Sequence, residues 1–231
     1  ERVMFHLKHD VQIHLKNEKE IFQLIRLLLF TFLFSAVFLG LPDYIWNITW
    51  YKISTILVMW IVAIPSIINC FERKNGLREL LGNHVLSQII MGIVLGTAMG
   101  IVVALIHSKT QPGVVIVKSS KVEDVLFRFV FYIFAVGPTE ELIYRVAIIG
   151  SLERLLKNKW IVYILADLLF AGAHLFQGNW PNAVFNLFAG ALYIALYKWK
   201  KGGYVFATVT HGIYDFMVVY LPLFYFLCTL K

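Results

Sequence analysis

Long apolar stretches, separated by short polar ones, run almost the whole length of the chain. Residues 21–41, 53–70, 85–106, 160–176, 180–197 and 204–221 each approach the roughly 20 apolar residues that cross a bilayer as a helix. The stretch 125–152 is too long for one simple crossing. Gly137-Pro138 lies inside it, and proline removes a helix hydrogen bond, so a break is expected there with a new helix starting at the acids that follow. Pro222 interrupts the last stretch and predicts a separate short segment to Lys231. Gly92, Gly96 and Gly100 form a small-xxx-small series that lets helices approach closely. The pattern predicts an all-α polytopic membrane protein, a bundle of about seven or eight transmembrane helices with a polar intramembrane cavity. Residues 1–20 differ: Phe5, Leu7, Val11, Ile13 and Leu15 alternate with polar residues, as in a short hairpin or an interfacial segment. No linker rich in Pro or Ser divides residues 21–231, which read as one bundle.

Composition sharpens this picture. Of 231 residues, 59% are hydrophobic and only 15% charged, against about 25% charged in soluble domains. The formal net charge of +7 comes from basic residues in loops, and forms no stripe of the kind that binds nucleic acid. Arg73, Lys74 and Arg78 share one loop, Arg154, Lys157 and Lys159 another, and Lys198, Lys200 and Lys201 a third. The turns at 42–50 and 177–180 carry no Lys or Arg. With seven spans the positive-inside rule puts the three basic loops and the N-terminus in the cytoplasm, with the 107–123 loop as the exception. Trp46, Trp50, Trp160, Trp180 and Trp199 stand at span ends, as interfacial anchors do. Cys70 and Cys228 have neither metal-ligand nor disulfide spacing. No cleavable signal peptide is visible in the first twenty residues.

Against this background the polar residues inside the C-terminal apolar stretches carry the chemistry. An ionisable side chain in hydrocarbon costs at least about 2.5 kcal/mol, so such groups face a protein interior or an aqueous cavity. At 1.5 Å of rise per residue, His174 lies roughly 20 Å into its span, Glu140 roughly 18 Å, Asp215 roughly 17 Å and His211 roughly 11 Å. Distant segments therefore bring polar groups to similar depths, as parts of one site.

Each group has a chemical reading and a plainer structural one. Glu141 and Arg145 stand at i and i+4 and can pair, which would lock two helices or shape a site. Glu140 then points roughly 100° away, free to face a cavity. His174 can accept a proton from water beside a carboxylate. Alone it reads equally as a core histidine bonded to a backbone carbonyl. Asp167, two turns earlier on the same face, reads as structural. His211 and Asp215 share a face at i, i+4, where the acid can orient the ring and the ring can donate to a developing oxyanion. Asn182 and Asn186 share another face; interhelical hydrogen bonding is the preferred reading, with Asn186 a possible additional polar site residue.

The ordered set resembles the CAAX protease and bacteriocin-processing (CPBP, or Abi) family of intramembrane proteases. The family pattern runs Glu-Glu-x-x-x-Arg, Phe-x-x-x-His, a Gly-containing span, then His-x-x-x-Asn or Asp. Here these are Glu140-Glu141…Arg145, Phe170…His174, Gly190 and His211…Asp215, with a Gly202-Gly203 turn before the last. The resemblance covers roughly residues 125–220, a protease-like core. It implies an intramembrane endopeptidase, in which Glu140 and His174 activate water and His211 with residue 215 stabilises the oxyanion. Glu141 and Arg145 would shape the site. Asn is the commoner residue at the last position, and a carboxylate there cannot donate. No cofactor is required by this reading. Zinc, if bound, would take His174, His211 and Glu140, although no His-Glu-x-x-His motif is present. The implied partners are the lipid bilayer and a peptide or protein substrate, either a prenylated tail or a bacteriocin or pheromone leader, and the implied location is a bacterial plasma membrane. The alternatives are a non-catalytic membrane binding protein, such as an immunity or sensor-regulating partner, and an ion-coupled transporter. The missing internal repeat counts against the transporter.

Overall fold

The computed structural model describes residues 18–29, 31–32, 49–71, 76–110, 121–177, 180–199 and 203–229. The N-terminal segment 1–17, the end of the first expected span, the turn at 42–48 and most of the 107–123 loop lie outside the described residues. Every described element is helical. In order they are α1 (18–29), α2 (Thr49–Phe71), α3 (Gly76–Leu81) and α4 (Val85–Thr110). A composite helix, α5, follows, then α6 (Lys159–Ala173), α7 (Trp180–Tyr197) and α8 (Tyr204–Thr229).

Two helices are long and apolar enough to cross a membrane, through Ile53–Cys70 and Val85–Ile106, and Ala183–Tyr197 is a shorter apolar helix. The distribution of side chains is that of a protein in lipid. Leu86, Val94 and Leu105 of α4 and Leu57 and Ile61 of α2 are exposed, while Ser66, Gln88, Thr139, Glu141, Arg145 and Thr210 are buried. An apolar exterior, with several polar and charged side chains among the buried ones, departs from the usual soluble arrangement. The glycine series of α4 does what its spacing predicts. A Cβ on Gly92 would lie 2.8 Å from Val209 Cβ, one on Gly96 would lie 2.6 Å from the Thr210 carbonyl oxygen, and one on Gly100 would strike Met217. Three small residues on one face thus let the backbone of α4 lie directly on α8.

The expected break at Gly137-Pro138 does not occur. α5 runs as one column through α-helical Val122–Phe131, π-helical Tyr132–Val136, α-helical Gly137–Glu141, π-helical Leu142–Ile148 and α-helical Ile149–Leu155. The acids therefore do not open a new helix. Pro138 cannot donate to the carbonyl four residues back, which is that of Phe134. Trp60 of α2 supplies the missing bond: its indole N–H donates to the Phe134 oxygen at 2.9 Å. The Thr139 hydroxyl donates to the Ala135 carbonyl at 2.7 Å. The Tyr204 hydroxyl donates to the Pro138 carbonyl at 2.8 Å. With these carbonyls satisfied from the side, the chain widens to π turns and stays helical. Nor does Pro222 end the last helix, since α8 continues to Thr229. Loss of one N–H in an apolar helix is tolerated where local adjustments re-satisfy the backbone.

The core lies where α5, α6, α7 and α8 meet. Ile148, Ile149, Val162, Phe170, Tyr193 and Ala207 are all nearly or fully excluded from solvent there. The polar groups of α5 and α8 are inserted into this apolar packing.

Candidate active site

The π stretch Leu142–Ile148 carries Arg145 and begins directly after Glu141. Such re-registered turns recur at functional sites. Here the result is an ion pair in the centre of the protein: Arg145 Nε stands 3.3 Å from Glu141 Oε2, with both side chains fully buried. Arg145 Nη2 also donates to the Gly190 carbonyl of α7 at 3.4 Å. Its guanidinium lies over the Phe170 ring, 4.4 Å from the centroid. Cation–π contact offsets part of the cost of burying this charge. Gly190 is required at its position, because a Cβ there would strike Asp167 Oδ1 and lie 2.8 Å from Phe170.

His211 of α8 completes this buried layer. Its Nδ1–H donates to Glu141 Oε1 at 2.9 Å. The ring stacks on Tyr193 with centroids 4.5 Å apart and meets Phe170 edge-on at 5.9 Å. Held on one nitrogen and by two aromatic rings, the imidazole has a fixed direction. Its Nε2 points at two more carboxylates, 3.4 Å from Asp215 Oδ2 and 3.8 Å from Glu140 Oε2. These two acids retain 23% and 20% of their side-chain exposure, against 3% for His211.

His174 arrives from the end of α6. It is not inside the helix, as a continuous span would have it; α6 stops at Ala173, and His174 is its C-cap and the first residue of a short 3-10 turn, His174–Gln177. Its Nδ1–H donates to the Phe170 carbonyl at 2.9 Å. A carbonyl oxygen only accepts, so in the neutral ring the lone pair sits on Nε2. The ring is half-buried and packs edge-on against Phe170 at 4.8 Å. A Cβ on Gly172 would meet no atom within 4 Å, so the chain beside His174 borders open space. Glu140 lies within Coulombic reach of His174, His211, Asp215 and Glu141.

The sequence therefore named most of the groups that meet here, and the structure keeps the pairs Glu141–Arg145 and His211–Asp215 while adding a bond between them. Glu141, not Asp215, holds the Nδ1 side of His211, while Asp215 faces Nε2. Asn186 is half-buried on α7; the side chain of Asn182 lies outside the described residues. Phe170 and Tyr193 were missed as site-forming groups. Their signals were present: Phe170 opens its motif, and Tyr193 stands one turn after Gly190.

Among the described residues no group of three His, Cys, Asp or Glu side chains is spaced to hold a metal ion. His211 already commits Nδ1 to Glu141 and directs Nε2 at two carboxylates, so the set His174, His211 and Glu140 does not form a ready ligand shell. Comparison with protein families matches residues 122–217 to the type II CAAX prenyl endopeptidase Rce1-like family. Neither the curated proteins nor the solved structures include a match.

Proposed function

From the premise that residues 122–217 belong to the CAAX protease family, we propose that the protein is an intramembrane endopeptidase driven by Glu140. The observation that carries this reading is the contrast between adjacent acids. Glu141 is fully buried and committed to Arg145 and His211, whereas Glu140 is partly open and holds Oε2 beside His211 Nε2.

In the proposed reaction Glu140 takes a proton from water, assisted by Nε2 of His174, as the water oxygen attacks the scissile carbonyl carbon. The carbonyl electrons move onto oxygen, and His211 Nε2–H donates to that oxyanion. Collapse of the tetrahedral intermediate breaks the C–N bond, and the proton held by Glu140 passes to the leaving amine. Glu141 and Arg145 touch no substrate; they fix the direction of His211. Asp215, a carboxylate, orients the same ring from the Nε2 side. The substrate class that fits the family is a membrane-anchored, prenylated C-terminal tail, with a bacteriocin or pheromone leader as the bacterial counterpart. The full chain forms a bundle of about seven spans with basic loops and N-terminus on the cytoplasmic side, in a bacterial plasma membrane.

The test is cleavage of a quenched-fluorescent peptide library by the purified protein, wild type beside Glu140→Ala and His174→Ala, with and without a strong chelator. Turnover that both substitutions abolish and the chelator spares is expected. Loss with chelator and rescue by zinc would replace the direct mechanism by a metal-dependent one. A cellular phenotype that survives both substitutions would sink the enzyme reading in favour of a binding protein.

A further inference from the structure

A second polar site lies at the end of the bundle, outside the cluster just described. A cleft of about 530 Å³ opens between the end of α5, the start of α6 and the end of α7, lined by Glu153, Leu156, Lys157, Lys159, Tyr163 and Lys198. Lys198 is held in place: its Nζ pairs with Glu153 Oε1 at 2.7 Å and lies over the Tyr163 and Tyr197 rings, 5.6 and 5.1 Å from their centroids. The Tyr163 hydroxyl also donates to Glu153 Oε1, at 3.4 Å. Glu153 is thereby spent on Lys198. Lys157 and Lys159 have no carboxylate partner among the described residues, so the cleft carries an uncompensated positive charge.

We propose that this cleft binds the phosphate of an anionic phospholipid headgroup. Basic pockets between membrane helices recognise such headgroups, and each nearby lysine adds about fivefold in affinity for an anionic surface. The surroundings favour a lipid over a soluble phosphate. Trp160 and Trp199 flank the cleft and are 76% and 58% exposed, the placement of residues that anchor a protein at the headgroup level. Leu156 gives the cleft an apolar wall, and the exposed apolar residues Ile161 and Ile164 continue down α6 from it. A headgroup in the cleft would leave its acyl chains along that apolar surface. The phosphate would meet Lys157 and Lys159, with Tyr163 and the fixed Lys198 closing the cleft.

The experiment is native mass spectrometry of the full chain released from detergent, titrated separately with phosphatidylglycerol, phosphatidylcholine and soluble glycerol 1-phosphate. The readout is binding and requires no turnover, so its failure is separable from failure of the protease reading. The wild type should prefer phosphatidylglycerol. The double variant Lys157→Gln, Lys159→Gln should lose about 25-fold of that affinity, two lysines at about fivefold each. The charge-preserving Lys157→Arg, Lys159→Arg should keep it, which separates loss of charge from loss of fold. Equal binding of the two lipids by the wild type, or undiminished phosphatidylglycerol binding by the glutamine variant, would overturn the proposal. Glycerol 1-phosphate bound as tightly as phosphatidylglycerol would overturn the lipid assignment and make a soluble phosphate the ligand.

Discussion

Glu140 and Glu141 are neighbours on one helix, yet the fold treats them in opposite ways. Glu141 is sealed off, with one oxygen beside Arg145 Nε and the other accepting from His211 Nδ1. Glu140 keeps a fifth of its side-chain exposure and approaches only the far nitrogen of the same histidine. The same division separates His211, pinned on Tyr193 and Phe170, from His174, half-buried with Nδ1 bonded to the Phe170 carbonyl. One set of groups is built to stay still. The other keeps part of its side-chain surface exposed. Identical side-chain chemistry thus meets two different environments, and if the proposed roles follow from them, substitutions should separate the two sets.

The largest effect is expected on activity. Glu140→Gln keeps the shape and removes the proposed base, so turnover should fall by about 10²–10⁴-fold, the usual contribution of a general base. The melting temperature should stay within a few degrees, because Glu140 Oε2 has no hydrogen-bond partner among the described residues and its approach to His211 Nε2, at 3.8 Å, is longer than a hydrogen bond. A large loss of thermal stability in this variant would erase the distinction between the two acids. Arg145→Met is the converse. It leaves Glu141 as a buried carboxylate without its cation, at a cost of about 3–5 kcal/mol. Unfolding in denaturant should register that loss, and activity should disappear with the folded state. If Arg145→Met remained as stable as wild type while inactive, Arg145 would belong with the open groups.

A smaller effect probes how the two layers are kept apart. Gly190→Ala would drive a methyl group into Asp167 and the Phe170 ring. Overpacking of this kind costs about 1–3 kcal/mol. Phe170 touches Arg145, His174 and His211 at once, so its displacement should also lower turnover. Unchanged stability and unchanged kinetics in Gly190→Ala would show that the close approach of α6 and α7 is slack.

How much of this could be read from the chain follows from what each group interacts with. Glu141 with Arg145, His211 with Asp215 and the glycines of α4 are helical repeats, and their partners lie three or four residues away or on one neighbouring helix. Spacing alone exposes them. The bond from Glu141 to His211 joins residues 70 positions apart, and no local pattern encodes it. Pro138 misled for a related reason. Its missing N–H is a local fact and predicts a break, but the Phe134 carbonyl that it orphans is satisfied by Trp60 from α2, 74 positions away. The end of α6 at Ala173 was also hidden, because the apolar run continues past it through His174, Leu175 and Phe176. Hydropathy marks what lipid tolerates and says little about where a helix turns.

The finest test of the contrast is Asp215→Asn. Asp215 belongs to the open layer by exposure but contacts the buried histidine, 3.4 Å from its Nε2. As a carboxylate it accepts from that nitrogen and competes with an oxyanion for the same proton. Asparagine would keep an accepting oxygen toward His211 and add two N–H donors toward the substrate. It is also the commoner residue at this place in the CAAX protease family. Removing one of the three carboxylates around His211 leaves Glu141 to fix the ring through Nδ1. Turnover should therefore stay within about tenfold of wild type, a change of about 1.4 kcal/mol or less in the barrier. Parallel measurement of kcat and KM on a cleaved peptide would check this. A loss as deep as that of Glu140→Gln would mean that Asp215 acts on the reacting atoms through its charge, and that the open layer contains two working acids.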